Sequence, residues 1–306
     1  MLRPLPFPRR ISVEVTNHCN QRCRLCPRLE FTRPLGFMDP ALFERIAREC
    51  APHGTALWLH FLGEPLLHRD VVDMIRTAKA LGVRQVGLST NAVALGTYTE
   101  PLLASGLDRL ECSIDAIDRD GYVDMRGRDH FERAVGNVRG FLQRKRELGL
   151  DIPLTSIQFM RTPEVEAMLD TVVAAWRPYL GTRDFVMTIV PNPFGGAIAA
   201  DLPSQGERRP CQWLFESLVI CQDGTVTMCG ADWDARAPLG RVQQQTLAEI
   251  WHSAEMRRRR AAHLAGEFGA IEPCAKCEDW RLADGSAYSN VLLEIEAATP
   301  KHATGS

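Results

Sequence analysis

The stretch that decides the fold is Ile11-Ser12-Val13-Glu14-Val15-Thr16-Asn17-His18-Cys19-Asn20-Gln21-Arg22-Cys23-Arg24-Leu25-Cys26-Pro27. Its first five residues alternate apolar and polar side chains, which predicts a strand. Three thiols follow directly, on Cys19, Cys23 and Cys26. Soft thiolates favour zinc or iron–sulfur ligation, and a structural zinc site uses four protein ligands. The spacing therefore indicates either a four-iron cluster with one open iron or a zinc loop that His18 or a distant residue completes.

Cysteine content, charge and hydropathy narrow the class of protein. The chain has 306 residues, of which 10 are cysteines, a high number for a reducing compartment where structural disulfides are disfavoured. Clustered cysteines then indicate metal or redox chemistry. No signal peptide and no apolar stretch of about 18 residues is found, so we expect a cytoplasmic protein without a membrane partner. A formal net charge of −2 gives no basic field for nucleic acid.

Strand-like and helix-like segments alternate over the first two thirds of the chain. Repeated βα units imply a parallel sheet, because each crossover returns the chain to the same edge. We expect an α/β fold, a partial (β/α)6 barrel over residues 1–200, with chemistry on loops at the C-terminal strand ends. The predicted strands are 11–15, 56–62, 85–89, 109–114, 154–159 and 185–190, and the predicted helices are 40–50, 70–81, 100–105, 131–148 and 163–179.

The pattern changes after residue 190. Residues 191–210 are rich in proline and glycine and indicate a linker. Apolar segments at 218–221 and 225–228 flank Gln222-Asp223-Gly224, which predicts a hairpin. Two short helices follow, at 246–252 and 254–265. We expect a small C-terminal α+β domain over residues 201–285 and a tail over residues 286–306.

The first cysteine loop resembles the radical S-adenosylmethionine superfamily, because Cys-x3-Cys-x-(apolar)-Cys follows the first strand, with Leu25 in the apolar slot. The resemblance implies that Cys19, Cys23 and Cys26 hold a 4Fe–4S cluster whose open iron binds S-adenosylmethionine. Reduction of the cluster would then release a 5′-deoxyadenosyl radical, which takes a hydrogen atom from a substrate.

Further motifs of the same family occur at the predicted strand ends. Leu62-Gly63-Glu64-Pro65 resembles the family's Gly-Gly-Glu-Pro, which implies that Glu64 accepts from the cofactor's amino group and Gly63 allows close backbone approach. Ser89-Thr90-Asn91 and Ser113-Ile114-Asp115-Ala116 resemble two more family segments, which implies cofactor contacts for Asn91 and Ser113. Arg126 would pair with the cofactor's carboxylate, to which a guanidinium is geometrically suited.

Four later cysteines, Cys211, Cys229, Cys274 and Cys277, form a second group. Their spacing resembles the short auxiliary-cluster extension of radical S-adenosylmethionine enzymes, called a twitch domain and related to the SPASM type. The resemblance implies a second 4Fe–4S cluster with four protein ligands, suited to electron transfer. Taken alone, the spacing also fits a four-cysteine zinc ribbon.

Three cysteines fall outside both groups. Cys221 lies in the predicted hairpin and is either a small buried residue or a hydrogen-atom donor to a substrate radical. Cys50 and Cys112 lie in a predicted helix and a predicted strand, and we interpret both as core residues.

The motifs are most similar to twitch enzymes of antibiotic pathways, such as the butirosin-pathway dehydrogenase of an aminocyclitol. Gly36-Phe37-Met38-Asp39-Pro40 and His60-Phe61-Leu62-Gly63-Glu64 match segments of that enzyme. Phe194 and Ala231 stand where it has an arginine and a glutamate, which argues against oxidation of the same alcohol. We expect hydrogen abstraction from a small sugar-like, aminocyclitol or nucleoside intermediate, ending in dehydrogenation, epimerisation, dehydration or decarboxylation.

Two other functions stay open. Modification of a ribosomally made peptide is common among auxiliary-cluster enzymes, but these often carry a peptide-recognition domain, and a first strand at residue 11 leaves no N-terminal room for one. A non-enzymatic zinc scaffold would not need the cofactor residues described above. The expected partners are a small polar substrate and an external electron donor such as flavodoxin or ferredoxin. Candidate substrate contacts, from position alone, are Gln158, Arg161, Asn192 and Asp232. The run 257–260 of four arginines predicts a solvated helix face.

Overall fold

Six parallel strands form the centre of the molecule. The computed structural model describes residues 3–199, 202, 207–283 and, for the backbone, 288–290. Neighbours in the sheet follow chain order from the first strand to the sixth, which confirms the α/β fold and the parallel sheet. The strands are β1 (Arg10–Val13), β2 (Ala56–Trp58), β3 (Gln85–Thr90), β4 (Arg109–Ser113), β5 (Leu154–Met160) and β6 (Phe185–Ile189).

Helices fill the crossovers between these strands. The first begins and ends as predicted, because the Asp39 carboxylate accepts the Ala41 N–H at 2.8 Å and Pro40 occupies the first turn. Segment 163–179 is two helices instead of one, with Met168 between them in a non-helical conformation. The helices are α1 (Pro40–Cys50), α2 (Val71–Ala80), α3 (Leu95–Leu103), α4 (Arg119–Arg126), α5 (Phe131–Glu147), α6 (Pro163–Ala167) and α7 (Leu169–Trp176).

Helix α4 was missed by the sequence analysis. It has eight residues, and only Tyr122, Met125 and Arg126 are buried, so its apolar periodicity is weak. The Asp118 carboxylate caps it by accepting the Gly121 N–H at 2.8 Å. The helix ends at Gly127, which has a positive φ of 66°.

The C-terminal region extends the same sheet. The predicted hairpin is confirmed as β7 (Ser217–Ile220) and β8 (Thr225–Thr227), and β9 (Gly240–Arg241) pairs with β8. Strand β7 runs parallel to β1, with Arg10 opposite Ser217, so the hairpin joins the barrel sheet at its β1 edge. At the other edge, β10 (Tyr288–Asn290) pairs antiparallel with β6. The associated helices are α8 (Trp213–Glu216), α9 (Leu247–Trp251) and α10 (Ala254–Leu264).

Parts of the predicted linker and tail lie outside the described residues. Within the linker, 194–196 form a single 3-10 turn, whereas 200, 201 and 203–206 are not described. The predicted tail from residue 286 lies outside the described residues except for strand β10. Where the structure describes the chain, no helix is long and apolar enough to cross a membrane.

The arginine run 257–260 is a solvated face only in part. Arg259 and Arg260 are 5% and 4% exposed, so the prediction is wrong for these two residues. Arg260 lies 3.9 Å from the centre of the Trp251 ring and donates to the Trp251 and Leu214 carbonyl groups. Burial lowers the pKa of its guanidinium to about 10. The two side chains anchor α10 because backbone carbonyls and an aromatic ring replace their water.

Candidate cluster and cofactor site

The first cysteine loop begins at the C-terminal end of β1. The end of α4 fixes its course, because the Arg22 and Arg24 N–H groups donate to the carbonyls of Arg126 and Met125 at 3.0 and 2.9 Å. A Cβ atom on Gly127 would lie 2.5 Å from the Arg22 carbonyl oxygen, so glycine is required where helix and loop meet. The unpredicted helix α4 therefore positions the predicted cysteine loop.

The donor set of this loop fits an iron–sulfur cluster. Cys19, Cys23 and Cys26 are partly exposed, and the Gln21 N–H donates to Cys19 Sγ at 3.4 Å. Arg126 Nη1 lies 3.5 Å from Cys23 Sγ. Burial raises the pKa of the Cys19 thiol to about 11 and that of Cys26 to about 12, so these thiols stay protonated unless a metal displaces the proton.

Gly63 lies against the short segment between β1 and Cys19. A Cβ atom at this position would stand 1.9 Å from the Thr16 carbonyl oxygen and 2.9 Å from Asn17 Cα. The next residue, Glu64, donates its N–H to the His18 carbonyl at 2.8 Å. The glycine thus allows the backbone after β2 to hydrogen-bond to the residue before Cys19.

The Glu64 carboxylate is buried, with 2% of the residue exposed. One oxygen accepts from Thr90 Oγ1 at 2.7 Å and from the Leu66 N–H at 3.0 Å, and the other accepts the Asn91 N–H at 2.7 Å. Burial raises the pKa of this carboxyl, although the three donors oppose the shift. Donors from the turn after β2 and from the end of β3 therefore hold the Glu64 carboxylate in one orientation.

Asn91 connects the end of β3 to the cysteine loop. Its Nδ2 donates to Asn20 Oδ1 at 2.7 Å and lies 3.9 Å from Cys19 Sγ, while its Oδ1 accepts the Val93 N–H at 3.1 Å. The side chain is 5% exposed. The structure thus places Asn91, Glu64 and Gly63 together beside Cys19.

Arg126 and Ser113 meet on the other side of the loop. Arg126 Nη2 pairs with Asp115 Oδ2 at 2.6 Å and donates to the Ser113 carbonyl group. Gln158 Nε2 donates to Ser113 Oγ at 3.3 Å. Arg126 Nε and Asp115 Oδ1 are buried without a hydrogen-bond partner. The unpartnered Arg126 Nε, on the guanidinium that contacts Cys23 Sγ, fits a site that a polar cofactor group completes.

Asp115 was not among the predicted site residues. It is 5% exposed, adopts a positive φ of 63°, and receives Arg126 in a buried ion pair. The pairing of Arg126 with a cofactor carboxylate stays a prediction, because the guanidinium already has one carboxylate partner. Asp115 belongs to the motif Ser113-Ile114-Asp115-Ala116, but nothing in that motif indicates that Asp115 pairs with Arg126.

The second cysteine group is assembled from three separate segments. The pKa of the Cys229 thiol is raised first by burial and then by Cys211, Cys277 and Cys274, which places these four thiols near one another. His263 lies between two of them, 3.3 Å from Cys274 Sγ and 3.2 Å from the Cys211 N–H. Burial lowers the pKa of His263 to about 4. In the described parts of the chain, no three His, Cys, Asp or Glu side chains are arranged to hold one metal ion.

The remaining cysteines are buried. Cys50 and Cys112 are fully enclosed in the main hydrophobic core, as predicted. Cys221 follows β7, is also fully buried, and donates its N–H to the Thr225 carbonyl at 2.8 Å. Its thiol pKa is raised by burial and then by Glu14. The hydrogen-donor role of Cys221 stays a prediction.

A cleft of about 610 Å³ opens between the linker turn and the second cysteine group. Phe194 and Ala231 both line it, and a Cβ atom on Gly195 would lie 3.0 Å from the Ala231 carbonyl oxygen. Of the four candidate substrate contacts, Asp232 lines the cleft. Its carboxylate accepts the Arg236 and Ala237 N–H groups at 2.8 and 3.2 Å. The other lining residues are Glu30, Gly195, Gly196, Ala197, Trp233, Asp234, Arg236, Glu272, Pro273, Ala275 and Lys276.

A polar network joins the first cysteine loop to the C-terminal region. Arg33 forms a two-pronged pair with Glu14 at 2.7 and 3.0 Å and donates to the Trp233 carbonyl at 3.1 Å. Asp234 accepts the Thr32 N–H at 2.6 Å and its hydroxyl at 2.9 Å. No sequence pattern indicates this network, since Thr32 and Asp234 are far apart along the chain.

Comparison with known protein families decides the assignment. Residues 13–153 match the radical SAM superfamily, and residues 211–278 match an iron–sulfur cluster-binding domain of the SPASM type. The chain therefore carries a radical SAM domain followed by an iron–sulfur cluster-binding domain. The two matched ranges contain all seven predicted ligand cysteines.

Curated relatives and solved structures agree with this assignment. The chain is 29% identical over 130 residues to a probable GTP 3′,8-cyclase of Methanothermobacter marburgensis, covering 42% of this chain and 43% of that protein. It is 31% identical over 124 residues to the GTP 3′,8-cyclase of Chlorobaculum tepidum, covering 40% and 38%. The matches thus span less than half the length of these relatives.

Two structural neighbours share the fold. BtrN, the butirosin twitch enzyme, in complex with AdoMet and 2-DOIA has a TM-score of 0.62 at 18% identity, with 89% of this chain and 93% of that chain covered. Streptococcus suis SuiB bound to precursor peptide SuiA has a TM-score of 0.66 at 15% identity, with 91% and 71% covered. The TM-scores establish the shared fold, and at these identities the likeness extends to the fold alone.

The two matched domains confirm the predicted classes of cofactor. A radical SAM domain implies a 4Fe–4S cluster and S-adenosylmethionine, and a SPASM domain implies additional iron–sulfur clusters. Radical SAM enzymes act on a substrate together with a reductant. The twitch resemblance and the radical SAM recognition are confirmed at this level.

Proposed function

We propose that this radical SAM protein abstracts a hydrogen atom from a small sugar-like, aminocyclitol or nucleoside intermediate. The observation that carries the proposal is the cleft, because its walls come from residues next to both cysteine groups. Glu30 lies four residues after Cys26, whereas Ala231 and Ala275 lie beside Cys229 and Cys274. A molecule in the cleft would therefore lie beside the second cysteine group, and Glu30 would contact it from the segment that follows the first group.

The chain's own residues have distinct roles in this proposal. When bound, the 4Fe–4S cluster and S-adenosylmethionine supply a 5′-deoxyadenosyl radical that removes a substrate hydrogen atom. Cys19, Cys23 and Cys26 would hold the cluster, while Gly63, Glu64, Asn91, Ser113 and Arg126 would hold the cofactor. The oxygens of Glu64 are already oriented by Thr90, Leu66 and Asn91, so little rearrangement is needed to accept an ammonium group.

The four later cysteines would hold one auxiliary 4Fe–4S cluster. With four protein ligands such a cluster has no open iron, so we assign it to electron transfer with an external donor of the flavodoxin or ferredoxin type. Removal of a hydrogen atom leaves a substrate radical, and dehydrogenation requires a further electron to leave it. Held by the four later cysteines, the auxiliary cluster would supply an acceptor for that electron, which leaves the substrate together with a proton.

The chemistry of the cleft favours a small polar substrate. Its volume falls within the usual range of small-molecule sites. Carboxylates and cations both line it, including Glu30, Glu272, Arg236 and Lys276, and Phe194 and Trp233 add aromatic faces. Hydroxyl and amino groups can pair with such a mixed lining. The GTP 3′,8-cyclase relatives, with a nucleotide named as their substrate, favour the nucleoside option within this class.

Phe194 and Ala231 argue against a copy of the butirosin reaction. Both line the cleft, and neither side chain can hydrogen-bond an alcohol or accept its proton. Epimerisation, dehydration or decarboxylation would not need those two polar groups in the same places. A hydrogen-donor role for Cys221 would serve epimerisation, but this thiol is fully buried and is not among the residues lining the cleft.

Peptide modification is the second candidate. The structural neighbour SuiB, which is bound to a precursor peptide, has a TM-score of 0.66 with this chain. The two candidates differ in the size of the molecule that must reach the cleft. A peptide would extend beyond a site of about 610 Å³, whereas a nucleoside or aminocyclitol would not.

The test is substrate-dependent release of 5′-deoxyadenosine by the anaerobically reconstituted protein. We expect at least one compound in a panel of sugars, aminocyclitols and nucleosides to stimulate 5′-deoxyadenosine release. We expect no stimulation by peptides. Ala197 is exposed at the cleft wall, so Ala197→Trp should obstruct entry and raise KM at least about tenfold, or about 1.4 kcal/mol.

The matched control is Ala199→Trp, two residues further along the same loop and outside the cleft lining. It should leave KM unchanged. Equal KM values for both variants would place the substrate elsewhere, and stimulation by peptides alone would replace the first proposal with the second.

A further inference from the structure

The His263 imidazole contacts two of the four cysteines of the second group. Its Nδ1 receives the Cys211 backbone N–H at 3.2 Å, and its Nε2 lies 3.3 Å from Cys274 Sγ. The residue is 2% exposed. His263 thus links the first and third cysteines of the group, which are far apart along the chain.

The backbone contact fixes which nitrogen carries the proton. A backbone N–H can only donate, so Nδ1 must be the acceptor. In a neutral imidazole the proton then sits on Nε2, and Nε2–H donates to the sulfur of Cys274. The Cys211 backbone N–H, which can only donate, therefore keeps the Nε2–H of His263 directed at Cys274 Sγ.

Neighbouring side chains hold the ring in this orientation. The centres of the Phe268 and His263 rings lie 5.2 Å apart in an edge-to-face arrangement. The Arg208 guanidinium lies over the Phe268 ring, 4.3 Å from its centre. Arg208 also donates to the Cys274 carbonyl at 2.5 Å. The imidazole, the aromatic ring and the guanidinium form one packed layer around Cys274.

We infer that His263 is a positioning residue that raises the reduction potential of the auxiliary cluster through an N–H···S hydrogen bond to Cys274. This inference rests on the assignment of an iron–sulfur cluster to the four cysteines. Adding one electron makes the cluster and its thiolates more negative, and a hydrogen-bond donor stabilises that state more than the oxidised one. His263 keeps its proton, so the step is a one-electron reduction by the external donor without proton transfer.

The experiment measures the midpoint potential of the auxiliary cluster alone. A full-length Cys19→Ala/Cys23→Ala/Cys26→Ala parent removes the first cluster, and potentiometry with electron paramagnetic resonance follows the second. His263→Leu keeps the bulk and loses the donor. We expect its equilibrium constant for reduction to fall about tenfold, which is a 59 mV more negative potential for one electron.

His263→Gln can still donate through its amide, so it should restore most of the potential. His252→Leu is the matched control, because His252 is exposed and contacts the Pro6 carbonyl away from the four cysteines. Equal potentials for the parent and His263→Leu, with about four irons in each, would overturn the inference. A parent without iron would instead overturn the cluster assignment.

A second measurement covers the case in which His263→Leu does not fold. In the parent with nitrogen-15 histidine, the reduced cluster should show hyperfine coupling to the His263 nitrogen and to its exchangeable proton. That coupling should be absent in His263→Gln. A parent spectrum without histidine coupling would rule out the hydrogen bond, whatever the Leu variant does.

Discussion

The two cysteine groups are built in opposite ways. The first lies on one loop of eight residues, and side chains at the ends of β2, β3 and β4 support it. The second collects Cys211, Cys229, Cys274 and Cys277 from three segments and packs a buried histidine between two of them. The first can be recognised from spacing alone, whereas the second depends on how distant segments fold together.

Removal of each group should give the largest and most different effects. Cys19→Ala/Cys23→Ala/Cys26→Ala should abolish 5′-deoxyadenosine release and leave about four irons. Cys274→Ala/Cys277→Ala should also leave about four irons but keep substrate-independent cleavage of S-adenosylmethionine with a chemical reductant. Iron analysis and chromatography of the nucleoside check both results. If both variants kept about four irons but neither cleaved S-adenosylmethionine, the two cysteine groups would not differ in function as proposed.

The network between the two groups should carry the next largest effect. Arg33 neutralises Glu14, which is fully buried, so Arg33→Met should lower the free energy of unfolding by about 4 kcal/mol. Arg76→Met breaks an exposed pair with Asp73 and should cost less than about 1 kcal/mol. Anaerobic chemical denaturation of the reconstituted protein measures both. Similar losses would mean that the network does not tie the cysteine loop to the C-terminal region.

A smaller effect is expected at the approach of β2 to the first loop. Gly63→Ala would place Cβ 1.9 Å from the Thr16 carbonyl oxygen. We expect this variant to lower the free energy of unfolding by about 3 kcal/mol and to lose iron from the first cysteine group only. Gly136 lies inside α5 with nothing near its Cβ position, so Gly136→Ala should stabilise by about 1 kcal/mol. A well-folded Gly63→Ala protein with about eight irons would refute this account.

The smallest effect concerns the sheet that supports the first group. Glu111 lies between Ser89 and Ser156 in the strand register, and burial raises its pKa to about 7 from a usual 4.5, against the opposing charges of Arg10 and Arg109. The folded state therefore holds this proton more tightly than the unfolded chain, and stability should fall as pH rises from about 4.5 to about 7.

Glu111→Gln should remove that loss, matching the wild type at pH 4.5 and exceeding it by about 2 kcal/mol at pH 8. Denaturation at the two pH values checks the difference. Glu44→Gln, at an exposed pair with Arg48, is the control and should shift neither value by more than about 0.5 kcal/mol. Parallel pH curves for wild type and Glu111→Gln would show that Glu111 titrates normally.

Local patterns predicted most of the barrel. Helix α1 could be placed to the residue because Asp39-Pro40 starts it, and the strands follow short branched runs. Helix α4 was missed because its sequence is mostly polar, yet it positions the cysteine loop. The arginine run was misread because sequence cannot show that Trp251 and backbone carbonyls would enclose Arg259 and Arg260.

The candidate site was predicted unevenly for a related reason. Gly63, Glu64 and Asn91 belong to contiguous motifs, so their proximity to Cys19 could be expected. Asp115, Arg33 and His263 act through partners that lie at least ten residues away in the sequence. Neither spacing nor residue type identifies such partners, because tertiary packing brings them together.

Strand β1 is paired on both sides, with β2 at one edge and β7 at the other. Its second partner comes about 200 residues later, so this pairing has a very high contact order. During synthesis, the strand that leads to Cys19 therefore keeps an open edge until residues 217–220 have left the ribosome. An unpaired edge favours pairing with other chains. We therefore expect chains truncated before β7 to aggregate more readily than the full-length protein.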